Sequence, residues 1–435
     1  MIPSFARDIS WIVVLFLILI LSVFILHTNS TTTNTQDKDE TTIHINKLDS
    51  DAAHPIKLTS PNKTLTLTSK GTFKILQFTD LHYGESIWKD MMNEIAQRGV
   101  LDNEPDIDLV VLTGDALSGF AWDKKTVGWG KSKWAKIVQP MMDHQLRWAL
   151  AMGNHDDQGD LNRMQVVELD SSYPYSLTQM GPYTANGTTN YYLPIYDANG
   201  DMQVILYFFD SSDDNCMGIE GWGCVYPDQV EWYRQTSAML RAKNGGRILP
   251  ALAFLHIPVP EFLEMWNFYN VSGNLEDTGV CCFSVNTGLF SAFLEMGDVV
   301  SIHCGHDHSN DFIGSMHGIQ MAYGRKSGYG SYGPPSGWHH GARVIEISTQ
   351  PTFSINTWIR DEMGQLESTQ PFHAANPNQT WNECCDTAGF IQQYQTISHC
   401  KQYEMDFRSN LKDNQQQQQQ QQDDQQDNHD HVNFN

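Results

Sequence analysis

Five apolar segments constrain the fold of this 435-residue chain more strongly than any other feature of its sequence. Each is a nearly unbroken run of strand-forming residues, and each leads into a loop that carries carboxylate, amide or imidazole side chains. The five stretches, each quoted with the start of its loop, are FKILQFTDLH, DLVVLTGD, RWALAMGNHD, ILPALAFLHIP and VVSIHCGHDH. Such runs are typical of strands that are buried on both faces, which requires helices on both sides of a sheet.

Helical patterns lie between these strands. We predict helices over about residues 86–98, 133–146 and 227–244, and a further buried strand over residues 202–209. After residue 310 the pattern changes to strands with few helices. Alternation of strands and helices indicates an α/β fold, so we predict one α/β domain over about residues 67–365, with a strand-rich C-terminal half.

Polar side chains follow every one of the five strands. In chain order these are Asp80 and His82, then Asp115, then Asn154, His155 and Asp156, then His256, and finally His306 and His308. A single motif of this kind would be weak evidence, but five in succession are hard to reach by chance. Open α/β sheets bind ligands beyond the carboxyl ends of their strands, so we expect these side chains to meet there. Glycines before Asp115, Asn154 and His306 permit the sharp turns that this requires.

The types of donor predict a centre with two metal ions. Imidazole and carboxylate donors suit zinc, iron and manganese, and the lack of thiolates among them argues against a structural zinc site. Seven candidate ligands are too many for one tetrahedral ion: Asp80, His82, Asp115, Asn154, His256, His306 and His308. Two ions that share one carboxylate, about 3.5–4 Å apart, would use all seven, and such a pair clamps the attacking and leaving oxygens of a displacement at phosphorus.

The motif series DLH, GD, GNHD, H and GHDH resembles the calcineurin-like metallophosphoesterase superfamily over about residues 70–350. The segments QVEWYRQTS and GVCCFSVNTGLFSAFLEMGDVVSIHCGHDHSNDF resemble, more narrowly, its purple-acid-phosphatase-like branch. The resemblance implies a four-layer α-β-β-α sandwich with the two-metal site at the C-terminal ends of the strands. It also implies that residues 67–365 form a metallophosphoesterase domain, which hydrolyses phosphate esters with two ions of iron, zinc or manganese.

The resemblance further implies a role for each site residue. One metal would be held by Asp80, His82 and His308, the other by Asn154, His256 and His306, and Asp115 would bridge the two. His155 would be a catalytic histidine that faces the leaving group instead of a metal, and Asp156 would orient its ring.

One departure from the purple acid phosphatase pattern concerns the metals. Those enzymes carry a tyrosine ligand four residues after the glycine of the GD motif, in place of the histidine of DxH. Here that position is Ser118, in GDALS, and His82 is present instead. The charge transfer between tyrosine and iron that gives the purple colour should therefore be absent.

Three functions are consistent with these residues. In a phosphomonoesterase, the function that we favour, a metal-bridging hydroxide would attack phosphorus and His155 would protonate the departing alkoxide. The alternatives are a phosphodiesterase similar to lumenal sphingomyelinase-like enzymes, and a non-catalytic binding protein on the same fold. Five residues in or after the motif loops are candidates for substrate contacts: Tyr83, Asn310, Tyr323, Arg325 and His339.

The two ends of the chain are predicted to lie outside this domain. An apolar run over residues 11–26 follows Arg7 and indicates a signal peptide or an uncleaved signal-anchor over residues 1–28. Three further segments have compositions unlike that of a folded domain: a polar stalk at 29–66, a cysteine-containing extension at 366–411 and a disordered Gln/Asp-rich tail at 412–435. We therefore predict a protein of the secretory pathway, either secreted or held by a single-pass membrane anchor, with a lumenal or extracellular catalytic domain.

Three further features bear on location and partners. Sequons for N-glycosylation begin at Asn29, Asn62, Asn186, Asn270 and Asn378. The eight cysteines include no CxxC zinc pair, so we expect some to be bridged: Cys216 could pair with Cys224, and Cys384 or Cys385 with Cys400, while Cys304 is expected to be free. A formal net charge of −24 repels nucleic acid and excludes it as a general partner.

Overall fold

The structure is a computed structural model that describes residues 63–275, 279–376 and 384. The predicted segments at 1–28 and 412–435 lie outside these residues, as do most of the predicted stalk and extension. The same holds for two cysteines and three sequons, namely Cys385, Cys400, Asn29, Asn62 and Asn378.

The described residues contain seventeen β-strands. In chain order they are β1 (Leu65–Thr66), β2 (Thr72–Phe78), β3 (Leu109–Leu112), β4 (Trp148–Leu150), β5 (Tyr191–Tyr196), β6 (Met202–Phe208), β7 (Asp214–Cys216), β8 (Ile219–Trp222), β9 (Ala251–Phe254), β10 (Val271–Ser272), β11 (Val299–Cys304), β12 (Ile313–Met316), β13 (Ile319–Tyr323), β14 (Gly341–Ser348), β15 (Ser354–Asp361), β16 (Leu366–Glu367) and β17 (Phe372–His373). The five apolar segments are β2, β3, β4, β9 and β11, and the further predicted strand is β6.

Six α-helices occur in the same part of the chain: α1 (Ile87–Asn103), α2 (Trp129–Asp143), α3 (Arg163–Ser171), α4 (Pro227–Lys243), α5 (Glu261–Phe268) and α6 (Leu289–Met296). The three predicted helices correspond to α1, α2 and α4. The Ser86 side chain caps α1 by accepting a hydrogen bond from the backbone N–H of Lys89. Helix α4 begins at a proline, whose fixed φ suits the first turn, and has Arg241 and Lys243 in its last turn, where cations oppose the helix dipole.

Two large sheets form the centre of the described structure. The six-stranded sheet has the order β16-β15-β14-β2-β3-β4, with β2, β3 and β4 parallel and β14 antiparallel beside β2. The nine-stranded sheet has the order β1-β5-β6-β9-β11-β13-β12-β10-β17, with β6, β9, β11 and β13 parallel. Strands β7 and β8 form a separate hairpin. The strands that precede the candidate ligands are therefore parallel within each sheet; β2, β3, β9 and β11 lie inside their sheets, and β4 is an outer strand.

Adjacent side chains of β2 show how the layers are arranged. Ile75 belongs to an apolar cluster that also contains Leu206 and Phe254 of the nine-stranded sheet, so the two sheets pack face to face. Its neighbour Leu76 belongs to a second cluster, with Val100 of α1 and Trp134 of α2. This alternation is the one expected for a strand that is buried on both faces.

A third apolar cluster covers the other face of the nine-stranded sheet. It joins Tyr207 of β6 to Tyr233, Phe262 and Phe293, which lie on α4, α5 and α6. The order of layers is thus helices, sheet, sheet, helices, and the prediction of an α-β-β-α sandwich is confirmed.

Disulfides join two pairs of cysteines among the described residues. Cys216 is bonded to Cys224, as predicted, and this bond closes the β7–β8 hairpin. Of the two predicted partners of Cys400, Cys384 is excluded because it is bonded to Cys282 in the core of the domain, and Cys385 lies outside the described residues. Cys281 is also disulfide-bonded, and Cys304 is free and buried on β11, as expected.

No helix among the described residues has both the length and the apolar character that crossing a bilayer requires. The apolar run at residues 11–26, on which the prediction of a signal or anchor rests, lies outside the residues described.

Candidate metal centre

The structure brings all seven predicted ligands together at the carboxyl ends of the strands. Asp80 and His82 follow β2, Asp115 follows β3 and Asn154 follows β4, all in the six-stranded sheet; His256 follows β9, and His306 and His308 follow β11, in the nine-stranded sheet. Each of the seven side chains is buried, with at most 7% of its surface exposed. The centre therefore lies beyond the carboxyl ends of strands from both sheets.

Four of these side chains form a first cluster. His308 Nε2 lies 3.2 Å from Asp80 Oδ1 and 3.1 Å from His82 Nε2, and His82 Nε2 lies 3.6 Å from Asp115 Oδ2. Donors that surround one ion tetrahedrally at about 2.0–2.2 Å would be about 3.3–3.6 Å apart. The four donor atoms are therefore spaced as the ligands of a single metal ion would be.

A second cluster shares Asp115 with the first. His256 Nε2 lies 3.2 Å from Asp115 Oδ2 and 3.0 Å from Asn154 Oδ1. His306 Nδ1 lies 3.1 Å from Asn154 Oδ1 and 3.3 Å from His256 Nε2. Because Asp115 Oδ2 contacts donors of both clusters, one carboxylate oxygen stands between two groups of ligand atoms.

The outward nitrogens of two histidines show which ring nitrogen is free to bind a cation. His256 Nδ1 is 2.7 Å from the carbonyl oxygen of Thr113, and His308 Nδ1 is 2.8 Å from that of Tyr332. A carbonyl can only accept a hydrogen bond, so each Nδ1 carries the proton and each Nε2 presents a lone pair to the centre.

The backbone around the centre adopts conformations that most residues avoid. Asp80, His82, Asp115 and His306 have φ between 50° and 77°, in the left-handed region. Such conformations are costly for residues other than glycine and concentrate at functional sites. At Gly153 a Cβ atom would lie 2.2 Å from the backbone nitrogen of Asp115, so only glycine allows the two loops to approach this closely.

Electrostatics favour the metal-binding protonation states of two carboxyls and two histidines; at His256, burial acts to lower the pKa but Asp115 raises it to about 9, so that ring must lose a proton before it can bind a metal. Burial acts to raise the pKa of both carboxyls, but neighbouring histidines outweigh it: His308 holds the pKa of Asp80 below its ordinary value, and His256 does the same for Asp115. Burial lowers the pKa of His306 to about 3 and that of His82 well below its ordinary value. Ionised carboxylates and neutral imidazoles are the forms that coordinate cations.

A buried oxygen tests whether a cation fits the first cluster. Asp80 Oδ2 accepts hydrogen bonds from the Thr79 hydroxyl at 2.7 Å and from the His306 backbone N–H at 3.1 Å. Asp80 Oδ1 is buried and receives no hydrogen bond from the described residues. Its neighbour His308 Nε2 presents a lone pair, not a proton. Two buried acceptors 3.2 Å apart fit a bound cation, which would neutralise both.

His155 lies beside the centre but outside both clusters. Its ring is partly exposed, 5.5 Å from the His82 ring and 4.9 Å from the Phe120 ring between centroids. Its Nδ1 is 2.7 Å from Gln158 Oε1, and its backbone N–H donates to Asp115 Oδ1 at 2.8 Å. The side chain is therefore partly exposed to solvent beside the first cluster.

The prediction that Asp156 orients His155 is wrong. The Asp156 carboxylate is fully buried and accepts hydrogen bonds from the backbone N–H groups of Gly153 at 2.8 Å, Leu117 at 3.0 Å and Asp115 at 3.2 Å. It therefore joins the loops after β3 and β4. In a tight turn successive side chains point in different directions, and Gln158, three residues further on, is the one that reaches the ring.

Two cations that sequence reasoning missed hold ligand loops in place: Arg163 is partly buried and Lys326 is buried. Arg163, at the start of α3, donates to the carbonyl oxygen of Gly153 at 3.0 Å and to Asp210 Oδ1 at 2.6 Å. Lys326 Nζ donates to the backbone carbonyl of Asp80 at 2.9 Å, and burial lowers the pKa of its amine to about 8. No sequence motif marks either residue. Arg163 lies on the helix that follows the loop it holds, and Lys326 is far along the chain from Asp80.

Four of the five candidates for substrate contact are engaged inside the fold. Their polar atoms make the following bonds: Tyr83 Oη to Gln97 at 2.7 Å, Asn310 Nδ2 to the Gly279 carbonyl at 2.8 Å, Tyr323 Oη to Asp307 at 2.6 Å, and Arg325 Nη2 to Asp311 and Glu367, each at 2.7 Å. These four side chains are therefore buried and used within the fold, which favours the reading of each as an ordinary loop residue. His339 has an exposed side chain, with Nδ1 3.7 Å from Glu362.

Comparisons with known proteins agree with this geometry. A family model described as "Calcineurin-like phosphoesterase" matches residues 73–310. The chain is 32% identical over 318 residues to "Probable inactive purple acid phosphatase 28" of Arabidopsis thaliana, covering 66% of this chain and 78% of that protein. It is 31% identical over 328 residues to "Phosphatase DCR2" of Saccharomyces cerevisiae, covering 67% of this chain and 54% of that protein.

Two solved structures that match the chain share little sequence with it. A dimetal phosphatase from Danio rerio has 13% identity and a TM-score of 0.43, with 70% of this chain and 99% of that one covered. The purple acid phosphatase PPD1 from yellow lupin seeds has 14% identity and a TM-score of 0.39, with 70% of this chain and 54% of that one covered.

Proposed function

The chain belongs to the calcineurin-like phosphoesterase family, and from that premise we propose that it is an active phosphatase that hydrolyses phosphate monoesters with two metal ions. One observation carries the proposal. All seven ligand positions carry a donor, and the donor atoms gather in two clusters that share Asp115 Oδ2. A family member that has lost activity usually has lost a ligand, and here none is missing. The name of the Arabidopsis relative calls that protein probably inactive, and this is said of that protein alone.

Each cluster would hold one ion. The first consists of Asp80, His82 and His308, the second of Asn154, His256 and His306, and Asp115 belongs to both. Imidazole and carboxylate donors suit zinc, iron or manganese. When bound, such a pair supplies an activated water as the nucleophile and positive charge that stabilises the phosphoryl group.

His155 would donate the proton that the leaving group needs. Its Nδ1 faces Gln158 Oε1, an acceptor, so that nitrogen carries a proton and the ring is fixed in orientation. The opposite nitrogen, Nε2, would then be the one that passes a proton to the departing alkoxide. Gln158 thus takes the orienting role that the sequence had suggested for Asp156.

A lumenal or extracellular location is proposed with this function. Two disulfides among the described residues favour an oxidising compartment. The two described sequon asparagines, Asn186 and Asn270, are exposed, as glycan attachment requires. The signal or anchor at residues 1–28 remains a prediction.

The test combines metal analysis with a substrate panel. We expect the purified protein to contain two ions per chain and to hydrolyse a phosphate monoester with a higher kcat/KM than the matching diester. Asn154→Ala should lose one ion, whereas Asn199→Ala, in an exposed turn, should keep both and serve as the matched control. A protein that binds no metal would refute the proposal, and faster hydrolysis of the diester would identify a phosphodiesterase.

A further inference from the structure

A line of hydrogen bonds behind His82 reaches the Glu85 carboxylate, which lies outside both ligand clusters. The Ser118 hydroxyl lies 3.0 Å from His82 Nδ1 and 2.7 Å from Glu85 Oε1. Ser118 and His82 are completely buried, and the Glu85 side chain is 15% exposed. Glu85 also forms an ion pair with Lys89, which lies four residues further on, in the first turn of α1.

The chemistry of these groups determines which way each proton points. An ionised carboxylate can only accept, so the single hydroxyl proton of Ser118 goes to Glu85. The hydroxyl oxygen can then only accept from the ring, which places the proton of His82 on Nδ1. Its Nε2 is left with a lone pair directed at the first cluster, where it lies 3.1 Å from His308 Nε2.

His82 differs in this respect from two other histidines of the centre. The outer nitrogens of His256 and His308 face backbone carbonyls, which no substitution removes. The outer nitrogen of His82 is held by side chains alone, Ser118 directly and Glu85 through it. A substitution can therefore release the tautomer of His82 and leave those of the other two unchanged.

Glu85 also supports the second histidine of the first cluster. Its Oε1 accepts a hydrogen bond from the backbone N–H of Ser331 at 2.5 Å. The next residue, Tyr332, holds His308 twice, with its carbonyl oxygen 2.8 Å from Nδ1 and its ring stacked on the imidazole at 4.1 Å between centroids. One carboxylate thus supports the loops behind both His82 and His308.

We propose that Glu85 and Ser118 are positioning residues for the first metal site. They fix His82 in the tautomer whose Nε2 can bind a metal. The inference rests on the proposed two-metal function. Position 118, where the resemblance places a tyrosine ligand in purple acid phosphatases, then contributes to metal binding indirectly, through the histidine that replaces that ligand.

The first experiment measures metal affinity. Ser118→Ala and Glu85→Ala should weaken the binding of one of two zinc ions by roughly tenfold to a hundredfold, as the loss of an outer partner of a metal-binding histidine generally does, and leave the other unchanged. Ser118→Thr keeps the hydroxyl and should restore the affinity. Lys89→Ala removes a partner of Glu85 that lies outside the path to His82 and is the matched control, with both ions retained. Equal affinities in wild type and Ser118→Ala would overturn the inference.

The second experiment reads the tautomer without metal. In the metal-free protein, long-range ¹H–¹⁵N NMR spectra should show His82 protonated at Nδ1, and Ser118→Ala should give a mixture of both tautomers, with His256 unchanged. A wild-type protein with His82 protonated at Nε2 would refute the positioning role even if two metals bind. Failure of the wild type to bind zinc, with the expected tautomer present, would instead refute the proposed function and leave the local geometry confirmed.

Aromatic rings around the centre support a second inference, which concerns the substrate. Phe120, at 52% exposure, lies 4.9 Å from the His155 ring, and Tyr332, at 50% exposure, stacks on His308. Trp222, on the disulfide-closed β7–β8 hairpin, contacts the His306 ring edge-on at 4.4 Å between centroids. Three aromatic rings thus each contact a histidine in or beside the centre, and Phe120 is the one that contacts the proposed proton donor.

We infer that the site takes phosphate esters whose alcohol is aromatic. This inference deepens the proposed function, because the leaving group would depart beside His155 and so pack against Phe120. Aromatic rings attract one another in edge-on and offset geometries, beyond the area that they bury. An alkyl phosphate would leave the exposed face of Phe120 in water.

Non-hydrolysable phosphonates separate binding from leaving-group chemistry. Phenylphosphonate should inhibit more strongly than methylphosphonate, by a factor on the order of three to ten, and Phe120→Ala should abolish the difference. Tyr183→Ala, on an exposed loop residue outside the centre, is the matched control and should preserve the ratio. Equal inhibition by both phosphonates in the wild type would refute the aromatic preference, whereas no inhibition by either would count against the phosphatase function itself.

Discussion

Acid should destabilise this fold through a histidine that takes no part in the metal centre. His303 lies on β11, completely buried, with its ring stacked on Phe254 at 5.2 Å between centroids and Nε2 2.9 Å from the Ser301 hydroxyl. Its Nδ1 has no hydrogen-bond partner among the described residues. Burial, together with the positive charge of Arg343, lowers the pKa of His303 to about 3.

The magnitude follows from the two pKa values. In the unfolded chain the pKa of a histidine is about 6.5. Because the pKa is lower in the folded state, below pH 6.5 the unfolded state binds a proton that the native state does not bind. The free energy of unfolding therefore decreases as the pH is lowered. At pH 5 the unfolded group lies about 1.5 pH units below its pKa, and at about 1.4 kcal/mol per unit the loss is about 2 kcal/mol.

Urea unfolding at pH 7 and pH 5 measures this loss. Other groups titrate over the same range, so the informative quantity is the difference between wild type and His303→Gln, which keeps a polar group near Ser301. We expect acidification to cost the wild type about 2 kcal/mol more than the variant. His317→Asn, at an exposed position with a left-handed backbone that asparagine tolerates, is the control. The same pH dependence in wild type and His303→Gln would refute the reasoning.

Three further predictions concern the centre. Asp115→Asn should weaken both ions, because Oδ2 contacts both clusters, whereas His256→Ala should weaken mainly one; elemental analysis that finds one ion retained in Asp115→Asn would contradict the bridge. His155→Ala should slow hydrolysis of an alkyl phosphate by about 10²–10⁴-fold and that of an aryl phosphate with a good leaving group much less, with metal content unchanged. Equal losses in kcat/KM for both esters would exclude His155 as the acid. Iron-loaded protein should show no tyrosinate charge-transfer band in its visible spectrum, because Ser118 occupies the tyrosine position and is hydrogen-bonded to His82, and a purple preparation would show that the ligands are misassigned.

The ligand set could be predicted from the sequence because each ligand follows a strand that the apolar pattern marks. Asp80, Asp115 and Asn154 follow three parallel neighbours, and their order along the chain matches their order across the sheet. Residues that follow neighbouring parallel strands lie at one edge, so convergence required no knowledge of the loops. The layers could be predicted for a related reason, since runs that are apolar at every position indicate burial on both faces.

Side-chain direction in the loops could not be predicted. Asp156 follows His155 directly in the sequence, yet the turn sends its carboxylate to the backbone of Gly153 and gives Gln158 the contact with the ring. The hydrogen-bond partners of Arg325 could not be predicted either, because they depend on how distant loops fold together. The pairing of Cys282 with Cys384, 102 residues apart, has the same cause.

The position of β14 in the six-stranded sheet sets the order of events during biosynthesis. Strand β2 lies between β3 and β14, and its antiparallel partner β14 begins only at Gly341. At a synthesis rate of about 5–20 residues per second, β2 waits roughly ten to fifty seconds with one edge open. His306 and His308 also arrive late. A nascent chain of this protein therefore cannot complete its sheet or its metal centre until nearly the whole domain has left the ribosome. During that delay, a chaperone that binds apolar strands would protect the open edge of β2.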